Sequence, residues 1–153
     1  MNITKILAVG VAGLAITACS TVEETVTEAV SETYTAYLVG SNVPGGGDMD
    51  GYARVEVSVS DNLDRICYEV DEVRNLTPTA AHIHAGAEGT TGSPVLTLKA
   101  EDGSWVGCNE GTEALQNGIE AMPSNYYVQI HTAEYPNGAI RGQLYDYDMG
   151  DDM

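Results

Sequence analysis

At 153 residues the chain has room for one domain and little else. Its 23 Asp and Glu against 6 Lys and Arg give a formal charge of −17. Such a surface repels phosphate backbones and anionic headgroups, which excludes nucleic acid as a partner, and it attracts cations.

The first 18 residues read as a signal peptide. Lys5 supplies the positive start, and Ile6 to Ile16 form an apolar run too short to cross a bilayer as a permanent helix. The run ends in Ile16-Thr17-Ala18-Cys19, which resembles the bacterial lipobox. That resemblance implies cleavage before Cys19, acylation of Cys19 and stable anchoring to a membrane through lipid. An ordinary secretory signal with an unrelated cysteine is the competing reading. Ser20 stands where the family rule places Asp for inner-membrane retention, so the outer membrane is favoured.

Residues 19–33 are rich in Thr and Glu, lack aromatics, and read as a solvated, lipidated tether. From Tyr34 the hydrophobic period becomes two, with Ala36 and Leu38, then Ala53, Val55, Val57 and Val59, then Ile66, Tyr68 and Val70. Further strands are expected at 80–85, 94–99, 104–108, 125–132 and 139–145, separated by Gly-, Asn- and Pro-rich turns. Residues 111–121 break the alternation and leave room for one short helix, which Gly118 weakens. Seven or eight short strands at this spacing predict an all-β antiparallel sandwich with Greek-key connections over residues 34–147. Residues 148–153 form an acidic tail.

Cys67 and Cys108 are left to pair as a disulfide in an exported protein. The loop of about 40 residues they would close is worth roughly 4 kcal/mol in the chain-entropy model. Free thiols or thiolate metal ligands are the alternatives, and no CxxC spacing supports the latter.

All three histidines fall on expected strands. In Ala80-Ala81-His82-Ile83-His84-Ala85-Gly86, His82 and His84 share a face about 6.6 Å apart along the chain while Ile83 turns to the core. In Tyr126-Tyr127-Val128-Gln129-Ile130-His131-Thr132, His131 points away from its neighbour Ile130. Three neutral imidazoles converging on one point suit copper or zinc. Alternatively, they form a polar network with Thr79, Thr132 and Tyr127, and Arg141 pairs with Glu134 or Asp146.

The segment 81–86 with Gly89 and Gly92, Tyr127 through Thr132, Pro136-Asn137-Gly138 and Ile140-Arg141-Gly142-Gln143-Leu144 together resemble the CHRD domain family. That family is named for chordin and is widespread in bacterial exported proteins. The likeness runs from about Thr35 to Tyr145, and it implies a β-sandwich and an extracytoplasmic home but no established activity. A weaker similarity is to copper–zinc superoxide dismutase, in which an H-x-H strand and a later histidine ligate copper and an arginine guides the anionic substrate. Carried over, His82, His84 and His131 would ligate and Arg141 would guide. The chain has no fourth histidine, so a dinuclear site of that kind is excluded.

Asp48-Met49-Asp50-Gly51 hints at a calcium loop but lacks the other ligands, and a flexible turn is the simpler reading. Met149 and Met153 are soft donors in the tail. No G-x-S-x-G, phosphate loop or H-E-x-x-H occurs, and no catalytic residue stands out. The sequence thus points to an envelope lipoprotein that is a binding module without turnover, carrying a three-histidine site tuned by Arg141. A mononuclear copper oxidoreductase acting on superoxide is the second reading. A protein-interaction or adhesion domain with structural histidines is the third, and no protein partner is identified.

Overall fold

The computed structural model describes residues 31–147. The signal peptide, Cys19, most of the tether and the 148–153 tail lie outside the described residues. In chain order the elements are β1 (Glu32–Val39), β2 (Tyr52–Ser60), β3 (Arg65–Arg74), β4 (Ala80–Ala85), β5 (Pro94–Leu98) and β6 (Val106–Glu110). They continue with α1 (Glu113–Ala121), β7 (Tyr126–His131), β8 (Ile140–Gln143) and β9 (Tyr145–Asp146). All the pairings are antiparallel, in the order β5-β4-β7-β8-β1-β2-β3-β6, with β9 on β1.

The period-two pattern decides which face is buried. Ala53, Val55, Val57 and Val59 of β2 are at most 1% exposed, and register sets Val55, Val57 and Val59 opposite Val70, Tyr68 and Ile66. Branched and aromatic cross-strand pairs of this kind stabilise a sheet beyond their burial. Side chains from β1, β2 and β3 share one core with Ala81 and Ile83 of β4, Val128 and Ile130 of β7 and Ile140 of β8. The sheet therefore folds over on itself as a sandwich. Its two outer strands also approach, with Asn109 of β6 donating to the Thr97 carbonyl of β5 at 2.7 Å. The result is sandwich-like and nearly closed as a barrel, and the chain crosses between the two halves after β3, β5, β6 and β8.

Several boundaries moved. β1 begins at Glu32, with Glu32 and Thr33 paired to Val59 and Ser58, so the last two tether residues belong to the sheet. β6 starts at Val106, because a turn through Asp102 (φ 51) and Gly103 (φ 81) bridges Glu101 to Ser104. The final strand divides at Leu144: its N–H still bonds the Tyr126 carbonyl in register with β7, and from Tyr145 onward β9 pairs with β1.

The short helix forms in spite of Gly118. Thr112 caps it by accepting from Leu115 N–H at 3.3 Å, and Glu113 lies in the first turn. Ile119 and Gln116 are buried beneath it, Gln116 donating to the Ser60 carbonyl at 3.0 Å. Gly118 is there for packing, since a Cβ would stand 2.1 Å from the Tyr126 hydroxyl. Cys67 and Cys108 face one another across β3 and β6 and form a disulfide with an S–S distance of 2.09 Å.

Candidate metal centre

Ile83 is fully buried in the core, which turns His82 and His84 to the other face of β4. On β7, Val128 and Ile130 take the core, leaving Tyr127, Gln129 and His131 on the histidine side. Register sets Gln129 opposite His82, Tyr127 opposite His84 and His131 opposite Ala80, so His131 meets His82 on a diagonal. The ring centroids of His82 lie 5.2 Å from His131 and 5.7 Å from His84, with 6.3 Å between His84 and His131. One ring nitrogen from each residue lies within 4.8 Å of the other two. Two segments almost fifty residues apart thus deliver three imidazoles to one point.

Two loops fix how the rings present themselves. The Nδ1 atom of His84 lies 2.9 Å from the Gly92 carbonyl, and that of His131 lies 3.0 Å from the Pro136 carbonyl. A carbonyl only accepts, so each Nδ1 carries the proton and each Nε2 keeps a free lone pair. Those Nε2 atoms are buried and have no hydrogen-bond partner, and neither has Nδ1 of His82. A buried polar atom left unpaired costs about 1–3 kcal/mol. Three such nitrogens, on rings whose ligand atoms lie within 4.8 Å of one another, form a candidate donor set. An ion held at roughly 2.0–2.1 Å would draw them to about 3.3–3.6 Å apart, a closure of about an ångström.

Electrostatics favour the ligating form. Burial, then the neighbouring rings of His131 and His84, hold His82 below the ordinary histidine range. Burial also lowers His84; the hydrogen bond to Gly92 opposes this, while His131 and Arg141 reinforce it. Lowered values keep imidazole neutral near pH 7, as metal binding requires.

The surroundings are built around Tyr127. Its ring stacks on His84 at 4.8 Å and 10°, and the Arg141 guanidinium carbon lies 3.4 Å from its centroid. Its hydroxyl accepts from Gly92 N–H at 3.1 Å, which steadies the residue whose carbonyl orients His84. Gln129, 6% exposed, donates to the Asn137 carbonyl at 2.7 Å in the loop that orients His131. Beside the rings is a pocket of about 100 Å³, which His84, His131, Tyr127, Gln129, Asn137 and Arg141 help to line.

Arg141 joins the centre in an unexpected way. It is 1% exposed, and its guanidinium donates to the carbonyls of Thr90 and Ala87 and to Gln143 Oε1, with neither Glu134 nor Asp146 as its ion-pair partner in the described structure. The threonines do not serve the rings either. Thr79 donates to the backbone carbonyl of His131, and Thr132 accepts from Tyr135 N–H. Asp48 accepts from Asp50 N–H at 3.1 Å, which makes the suspected calcium loop a self-closed turn. The disulfide removes Cys67 and Cys108 as ligands. Cys19, Met149 and Met153 lie outside the described residues.

Gln129 was missing from the expected site and Tyr127 was expected only as a hydrogen-bonding neighbour of the rings, although period two places both on the face of His131. The carbonyls of Gly92 and Pro136 leave no sequence signal, since every residue carries one.

A near-closed antiparallel β domain with three convergent imidazoles on its outer face defines the class of protein. Within that class the chain belongs to the CHRD domain family, whose model matches residues 34–144. No curated protein and no solved structure matches the chain.

Proposed function

We propose that the chain is a metal-binding module of the bacterial envelope that holds one transition-metal ion on His82, His84 and His131. The observation that carries this reading is the set of three buried ring nitrogens without hydrogen-bond partners, two of them left bare by carbonyls on the far side of the ring. Neutral nitrogen donors suit copper and zinc, with copper higher in the affinity order. The ion would act here as a bound ligand, held and shielded by the protein. Export and lipid anchoring through Cys19 follow from the lipobox and agree with a formed disulfide. Ser20 favours the outer membrane as the destination.

The test is metal content and titration of the purified chain with copper and zinc, alongside His82→Ala and His131→Ala. One equivalent is expected for the wild type, with at least a hundredfold weaker binding in each variant. A wild type that binds neither metal would refute the reading. The pocket beside the rings favours a second reading, in which a bound copper meets a small molecule such as superoxide. Dismutation by the copper-loaded chain, lost with His131→Ala, would support it.

A further inference from the structure

The proposed donors are three neutral rings, and the residues that share their pocket add no carboxylate. The nearest fixed charge there is positive. Arg141 is 1% exposed, donates to two backbone carbonyls and an amide oxygen, and forms no ion pair with a described carboxylate. We propose that the centre selects its ion by charge, taking monovalent copper over divalent ions, and that Arg141 is the residue that sets this selectivity. The inference rests on the metal-binding reading above and narrows it to one oxidation state.

The argument is electrostatic. Tyr127 lies between the two partners, 3.4 Å from the guanidinium carbon and 4.8 Å from the His84 ring. At roughly 8 Å, the two distances laid end to end, an effective dielectric of about 20 makes each unit of like charge cost tenfold or more in affinity. A divalent ion feels that cost twice. It also loses more hydration on entering a small pocket that offers no anionic ligand in return. Three imidazoles can satisfy a cuprous ion, which accepts three-coordination, whereas zinc would have to take a water as its fourth ligand. The overall charge of −17 draws cations to the molecule, and the carboxylate of Glu88 acts on Arg141, but Glu88 is exposed and its field is weakened by salt, whose Debye length is about 8 Å. The buried guanidinium is screened much less.

The experiment uses the full chain without oxygen and compares wild type, Arg141→Met and Arg141→Lys. Silver(I) and zinc(II) serve as redox-inert probes of one and two charges, and cuprous ion competes with zinc(II) on the wild type. Losing the guanidinium is expected to raise silver affinity about tenfold and zinc affinity about a hundredfold, whereas Arg141→Lys stays within threefold of wild type. Wild-type protein should release zinc to an equimolar amount of cuprous ion. Equal gains for silver and zinc, or zinc retained against cuprous ion, would overturn the charge selection while leaving the metal site intact. Binding of none of the three ions would overturn both. Should Arg141→Met fail to fold, the wild-type competition decides alone.

Discussion

Gly138 and Gln129 are packed so tightly that a Cβ at position 138 would stand 1.6 Å from Gln129 Nε2. Gly138 also has a φ of 132°, a region other residues rarely enter. Gln129 uses that nitrogen to hold the Asn137 carbonyl, and the preceding carbonyl, Pro136, orients His131. One glycine thus lets a loop lie close enough to set a candidate ligand. Gly138→Ala should lose about 1–3 kcal/mol through backbone strain and the displaced glutamine. It should also weaken copper binding by roughly 10–100-fold, as loss of an outer-shell partner does. Urea unfolding and metal titration check the two effects. Lower stability with unchanged affinity would show that the loop has no part in presenting His131.

Tyr127 offers the matching test on the other loop. Tyr127→Phe keeps the ring that stacks on His84 and removes the hydroxyl that Gly92 N–H donates to. The part-buried N–H then loses its partner, at a cost of about 1 kcal/mol. Copper affinity should fall by about tenfold, because the Gly92 carbonyl that fixes His84 is no longer anchored. Equal affinity in Tyr127→Phe and wild type would assign the hydroxyl to folding alone.

The convergence of the histidines was legible because it follows from two short-range rules. Alternation puts His82 and His84 on one face, and an apolar Ile130 turns His131 away from the core. That β4 and β7 would be neighbours did not follow from either segment; the similarity to copper–zinc superoxide dismutase only implied that the three histidines share a site, and the pairing came with the structure. The role of Arg141 was not legible. Its partners are the carbonyls of residues 87 and 90, more than fifty positions away, and nothing in Ala87 or Thr90 marks them as acceptors. Strand ends failed where hydrogen bonding, not hydropathy, set the limit. Leu144 is as apolar as a strand residue should be and still bonds Tyr126 of β7, yet the next residues, Tyr145 and Asp146, pair with Thr35 and Tyr34 of β1.

The disulfide should matter for stability and not for the metal centre. It ties β6 to β3, in the half of the sheet away from the histidine-bearing strands, and closes a separation of 41 residues. Replacing both Cys67 and Cys108 by Ser should lower unfolding free energy by about 3–4 kcal/mol. Metal stoichiometry and affinity at temperatures well below the unfolding transition should remain those of the wild type. A loss of stability under 1 kcal/mol would mean that β6 is held by its backbone pairing alone.

Tyr34 gives a prediction on the alkaline side. It is 2% exposed and donates to Glu32 Oε2 at 2.6 Å. Burial, then that hydrogen bond and the charge of Glu32, push the phenol far above its ordinary value near 10. The folded chain therefore keeps a proton that the unfolded chain releases. The stabilisation is complete below the unfolded value of about 10, and falls by about 1.4 kcal/mol per pH unit above it, until the folded phenol itself ionises. Tyr34→Phe removes the titrating group while leaving the ring in the core. Near pH 7 the variant should be about 1 kcal/mol less stable for want of the hydrogen bond. Between pH 10 and 12 its stability should decline less steeply than that of the wild type, so that the two curves meet and cross at about pH 11. Parallel curves over that range in urea titrations would mean that the phenol ionises as readily in the folded sheet as in the open chain, and that Glu32 does not hold its proton.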